Sequence, residues 1–150
     1  MRIVVDSNIV FSAILNSDSK IGRIILHPKS RLNFYTTDQL FEEIENHKDK
    51  IKSLSGFSEY ELEKIIKLIT KRIRFINIRL VPSEIYKKAE NLTRDIDIDD
   101  TEFVALAEHA KAKLWSGDKK LIQGLKQKNW NKVISTEDLL NLIIKNIKSI

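Results

Sequence analysis

Apolar positions along the chain fall into two alternating patterns. Short runs rich in β-branched and aromatic residues recur at RIVVD (2–6), LNFYTT (32–37), IRFINI (73–78), AKLWS (112–116) and KVIS (132–135). Runs of this length and character suit strands buried on both faces. Between them apolar residues return at helical spacing. SNIVFSAIL continues directly from the first run, and SEYELEKIIKLITKRI opens with Ser58 and Glu61 at capping-box spacing before repeating Leu62, Ile65, Ile66 and Ile69. STEDLLNLIIKNI, near the C-terminus, has a capping residue and an amphipathic body. Strand and helix in alternation predict an α/β fold, a three-layer α/β/α sandwich around a parallel sheet of four or five strands, with residues 1–150 as a single domain. In such sheets functional groups collect beyond the carboxyl ends of the strands.

That rule gives the acidic residues a place to meet. Asp6 ends the first strand run and Asp118 follows the fourth by two residues, so both are expected at the same edge of the sheet. A third acid comes from the segment RDIDIDDTEFVALAEHA (94–110). At about 100° per residue, Phe103, Val104, Ala107 and Ala110 form one stripe and Asp100 falls within it. Asp100 is therefore expected to face inward at a helix N-terminus, where free amides and the macrodipole favour an anion. Glu102 lies off the stripe and is expected to face water. In TTDQLFEEIENHKDKI the stripe runs through Leu40, Phe41, Ile44 and Ile51. Glu42 points nearly opposite, while Glu43 and Glu45 lie at its two edges, so periodicity leaves both open.

Composition changes this picture at a few points. The apolar share of 42%, with four Gly and two Pro in 150 residues, belongs to a compact folded chain. Absence of cysteine excludes a disulfide framework, a thiolate metal site and a cysteine nucleophile, and cytoplasm is the default compartment. The apolar start MRIVVDSNIVFSAIL is broken by Asp6 and Asn8, which argues against a signal peptide or a membrane span. A net charge of +5 permits a polyanionic partner.

VVDSN at 4–8, EEI at 42–44, DIDDTEFVALAEHA at 97–110 and LWSGDKKL at 114–121 resemble, in order, the signature blocks of PIN-domain nucleases. The eighteen residues separating Asp100 from Asp118 are also those expected of that family. The resemblance implies an endoribonuclease holding one or two divalent cations. Its four acids fall on Asp6, Glu43, Asp100 and Asp118, which would serve as catalytic metal ligands. Asn8 and Ser116 match supporting positions, and Asp97, in an unusually acidic stretch, would add to their support. Hydrolysis of a phosphodiester builds negative charge that bare carboxylates would repel, and Mg²⁺ or Mn²⁺ on hard oxygen ligands reverses that sign. Small members of the family are often toxins, homodimeric and neutralised by a small antitoxin protein laid over the acidic groove. An RNA-processing nuclease with no antitoxin, or a degenerate fold that binds RNA or protein without cutting, are the alternatives.

Each acid also has a plainer use. Asp6 could be an ordinary strand-end acid, and Asp100 and Asp118 could be helix caps. Asp95, Asp97, Asp99 and Glu102 read by default as a solvated charge run. In KKLIQGLKQKNWNK the lysines Lys119 and Lys120 and the indole of Trp130 are candidates for contact with an RNA backbone and a stacked base, although Trp130 could equally pack within the fold. His27, His47 and His109 lack the paired spacing of a zinc site and are expected at the surface or in structural roles. The apolar C-terminal run LLNLIIKNI is the place to look for a dimer interface.

Overall fold

The computed structural model describes residues 1–28 and 30–148, so residues 29, 149 and 150 of the expected single domain lie outside the described residues. Five strands, β1 (Arg2–Val5), β2 (Asn33–Thr37), β3 (Ile73–Ile76), β4 (Lys113–Trp115) and β5 (Val133–Ile134), form one parallel sheet in the order β3-β2-β1-β4-β5. Eight helices flank it among the described residues: α1 (Ser7–Leu15), α2 (Lys20–Leu26), α3 (Gln39–Ser55), α4 (Glu59–Thr70), α5 (Ser83–Thr93), α6 (Thr101–Ala110), α7 (Lys119–Gln127) and α8 (Thr136–Lys148). This is the predicted three-layer α/β/α sandwich, with five strands.

Alternation along β1 divides the core into two apolar layers. Ile3 and Val5 face α1, α2, α3, α4 and α8, together with Phe34, Trp115 and Ile134 from the neighbouring strands. Val4 faces α5, α6 and α7, together with Leu114. In register, Val4 stands beside both Tyr35 and Leu114, and Val5 beside Trp115, so one side-chain period serves three strands. The capping box is present: the Ser58 hydroxyl accepts from the Glu61 N–H at 3.1 Å, and the Glu61 carboxylate accepts from the Ser58 N–H at 3.1 Å.

Two expectations need correction. The third strand run ends two residues early, because the Asn77 carboxamide accepts from the Arg79 N–H and starts a 3₁₀ turn at Ile78–Leu80. Phe41 is 53% exposed and not in the core. Leu40 and Ile44 fill the narrower buried stripe, and Phe41 stacks at 3.9 Å on Phe75 of the edge strand β3. Helix α8 packs toward the sheet through Leu139 and Ile143, and Ile144 is exposed among its described side chains.

Topology fixes where loops meet. The chain runs from β1 outward to β2 and β3, then crosses back to place β4 on the other side of β1. The carboxyl ends of β1 and β4 therefore bound a crevice at the point where the strand order reverses. Helices α1, α3 and α7 follow strands and α6 precedes one, so all four begin at that carboxyl edge. The start of α6 is fastened by a buried pair of hydroxyls. Thr101 donates to the Ile98 carbonyl at 2.7 Å and shares a 2.6 Å hydrogen bond with Thr93 of α5, which reaches the Ala89 carbonyl at 3.0 Å. Replacing Thr101 by Val removes its bonds to Ile98 and Thr93 at constant shape, and denaturant unfolding should show a loss of about 1–3 kcal/mol.

Candidate active site

Asp6, at the end of β1, is the N-cap of α1. Its Oδ1 accepts from the Ile9 N–H at 3.0 Å, and the residue is 3% exposed. Asp118, three residues beyond β4, caps α7, accepting from Lys120 and Leu121 N–H groups at 3.0 and 3.2 Å. Buried Ser116 ties the two together. Its hydroxyl accepts from the Asp118 N–H at 3.1 Å, and its hydrogen bond to Asp6 favours the charged carboxylate. In each case the cap fixes the side chain's direction, so the plain and the functional readings of these acids coincide.

The loop before α6 brings the remaining acids. Asp97 starts a 3₁₀ turn by accepting from the Asp99 N–H at 3.0 Å. Carboxylate oxygens of Asp97, Asp100 and Asp118 lie within 4.8 Å of one another. Asp100 makes no capping hydrogen bond to α6, so the expected stabilisation by helix amides is absent. Burial and then the charges of Asp97, Asp6, Asp118 and Asp99 push its carboxyl up to about 7. Asp6 is also raised, by burial first and by Asp118 and Glu43, against the hydrogen bonds of Ser116 and Ile9.

Glu43, in the second turn of α3, lines the same cleft, whereas Glu45 is exposed and paired with Lys48 at 2.8 Å. The structure thus separates two residues that helical phase leaves equivalent. The cleft has a volume of ≈ 540 Å³, and Asn8 and Asp99 also border it. Hard carboxylate oxygens converging in this way fit a divalent cation such as Mg²⁺ or Mn²⁺.

Other positions differ from expectation. Glu102 does not simply face water: it lines the cleft, and burial with the charges of Asp38 and Glu43 raises its carboxyl, against the nearby Thr37 hydroxyl. The α6 stripe could not show this, because the wall that covers Glu102 belongs to other elements. Gln39, Tyr86 and His47 line the cleft as well, and nothing in their own sequence segments marks them. His47 donates from Nδ1 to the Glu43 carbonyl at 2.7 Å and lies 5.2 Å from the Phe11 ring. Trp130 is unavailable to a stacked base. It is 6% exposed, packed beneath α6 and α7, and its Nε1–H donates to Glu108 at 2.5 Å. Lys119 and Lys120 are exposed on the first turn of α7, beside Asp118.

Fold and site together define an α/β domain with a carboxylate-lined cleft at the topological switch point of its sheet. A PIN domain family model matches residues 4–147, and the chain belongs to that family. A chain of the crystal structure of VapBC2 from Rickettsia felis bound to a DNA fragment from their promoter has the same fold. The TM-score is 0.65 at 14% identity, with 90% of this chain and 97% of that one covered. No curated protein matches in sequence.

The crowded carboxyls carry a consequence for stability. Asp100 holds its proton up to about 7 when folded, against an ordinary 3.8. The metal-free folded chain therefore binds more protons than the unfolded chain between those values and loses stability as pH rises through them. Asp100→Asn removes that loss. In EDTA at pH 7.5 the variant should melt above the wild type by about 2–4 °C, the shift that about 1 kcal/mol gives at this size, and the difference should vanish near pH 4.

Proposed function

We propose that the chain is a metal-dependent endoribonuclease that hydrolyses RNA phosphodiester bonds. One observation carries the reading: acids from three separate segments, Asp6, Asp97 with Asp100, and Asp118, converge at one edge of the sheet and repel one another there. A divalent cation held by Asp6, Glu43, Asp100 and Asp118 would polarise the phosphate and offset the charge that develops on its oxygens. Asp6 and Asp118 keep their directions through the α1 and α7 caps, and Ser116 and Asn8 support them. Asp97 closes the side of the cleft nearest Asp100. Lys119 and Lys120 lie where an RNA backbone entering beside Asp118 would meet positive charge.

PIN family membership and the likeness of fold to a chain of VapBC2 support a toxin of a toxin–antitoxin pair. The same reading makes the partners an RNA substrate, a small antitoxin and a second copy of this chain, acting in the cytoplasm as a single domain. No helix among the described residues is long and apolar enough to cross a membrane.

Purified protein should cut labelled single-stranded RNA with Mg²⁺ or Mn²⁺ and stop in EDTA. Asp100→Asn should lower the rate by more than about 100-fold, beyond the 10- to 100-fold typical of losing a metal's outer support. No cleavage with either cation, or an Asn variant as active as wild type, would end this reading. For the toxin role, expression in a bacterial host should arrest growth, and co-expression of a short neighbouring gene should relieve it. Growth without arrest at a confirmed protein level would count against it.

A further inference from the structure

One wall of the cleft is left without a task by this chemistry. Strands β2 and β4 flank β1 on opposite sides, so the groups carried at the end of β2 lie across Asp6 from Asp118. There Glu102 of α6 meets Gln39 of α3. In the amide orientation that satisfies both, the Gln39 nitrogen donates to both carboxylate oxygens, at 2.8 Å to Oε1. Thr37, 0% exposed at the end of β2, has a hydroxyl with no well-formed hydrogen bond, and it lies close enough to Glu102 to favour its charged carboxylate. Half-buried Tyr86 of α5 stands beside Glu102, and Ile98, 52% exposed, adds an apolar side chain to the same lining.

We propose that Glu102, Gln39 and Tyr86 form a subsite for one unpaired guanine of the RNA, a specificity element that rests on the RNA-cleaving reading above. A carboxylate accepts only, through two oxygens with about four lone-pair sites, so Gln39 leaves room for a second partner. On its Watson–Crick edge guanine presents N1–H and N2–H₂ side by side, two donors matched to two oxygens. Adenine and cytosine each set one donor beside an acceptor, and uracil sets one donor between two acceptors, so each would face Glu102 with a repelling lone pair. Gln39, exposed at the rim, can turn its amide nitrogen toward the guanine O6 while Tyr86 stacks on the ring, the usual means of holding a splayed base. The cleft's ≈ 540 Å³ accommodates a nucleotide beside the acid cluster. Glu102 thus acts on a neutral base edge and not on the phosphate its charge would repel.

The test uses short uridine oligonucleotides carrying one central guanosine, inosine, adenosine or cytidine, and calorimetric binding of GMP and AMP to the full chain. Wild type should cut beside guanosine about 10- to 100-fold faster than beside adenosine or cytidine, the range a two-bond base contact gives. Inosine, lacking N2–H₂, should fall between. In Glu102→Gln the guanosine-to-adenosine ratio should approach one, since the new amide sets a donor against N1–H. Tyr86→Ala should weaken GMP and AMP equally, and both variants should keep the wild-type circular dichroism. Cleavage without base preference overturns the subsite and leaves the nuclease reading standing. A GMP preference lost in Glu102→Gln but with no cleavage overturns the nuclease reading alone. Neither cleavage nor GMP preference overturns both, and a guanosine preference retained in Glu102→Gln overturns the role of Glu102.

Discussion

Carboxylates brought together at one edge of a sheet repel one another, and the packing beneath has to bear that repulsion. Asp97, Asp100 and Asp118 lie with oxygens within 4.8 Å of one another, and Asp6 adds to the field from the end of the next strand. In water such a group would simply spread apart. Here Asp6 and Asp118 are fixed by cap hydrogen bonds to α1 and α7, and the Asp100 turn is fixed by the Thr93–Thr101 hydroxyls between α5 and α6. What remains is a raised Asp100 carboxyl, the mark of a site that lowers its energy by taking up a proton or a cation.

The scaffold that holds this charge is apolar and closely packed. Val4, Leu114 and the buried face of α6 form one layer, and Ile3, Val5 and Trp115 form part of the other. The short central strands β1 and β4 leave no slack between the core and the cleft, because Val5 precedes Asp6 directly and Trp115 stands three residues before Asp118. Trp115 is completely buried, with its Nε1–H on the Thr136 hydroxyl at 3.0 Å, so the crevice rests on one of the best-fixed side chains in the molecule. Charge is therefore concentrated directly above the apolar core.

A basic chain with an acidic cleft divides labour between its parts. On the proposed reading, phosphate would be attracted by exposed lysines such as Lys119 and Lys120, and the acids would receive it only through a cation. Glu102 stands apart from both roles, held by Gln39 on the wall opposite Asp118, where a neutral base can offer donors that a phosphate cannot. The bland use of each acid and its proposed use are compatible, since a cap that fixes a carboxylate also aims it.

Helical and strand periods in the sequence determined the five strand runs, the acid at the end of the first, the acid after the fourth, and the inward phase of Asp100. Those are local properties, set by which side chains can share a face at 2.0 or 3.6 residues per turn. Periodicity left Glu43 and Glu45 equivalent where the family resemblance pointed to Glu43; the wall that separates them, the cleft position of Glu102, and the burial of Trp130 and exposure of Phe41 were decided by tertiary structure. Each depends on which neighbouring element covers a flank of the helix, and periodicity within one segment carries no information about the wall that another segment supplies. The upward shift of Asp100 belongs to the same class, because its causes include charges eighteen and ninety-four positions away in sequence that only the fold brings near it.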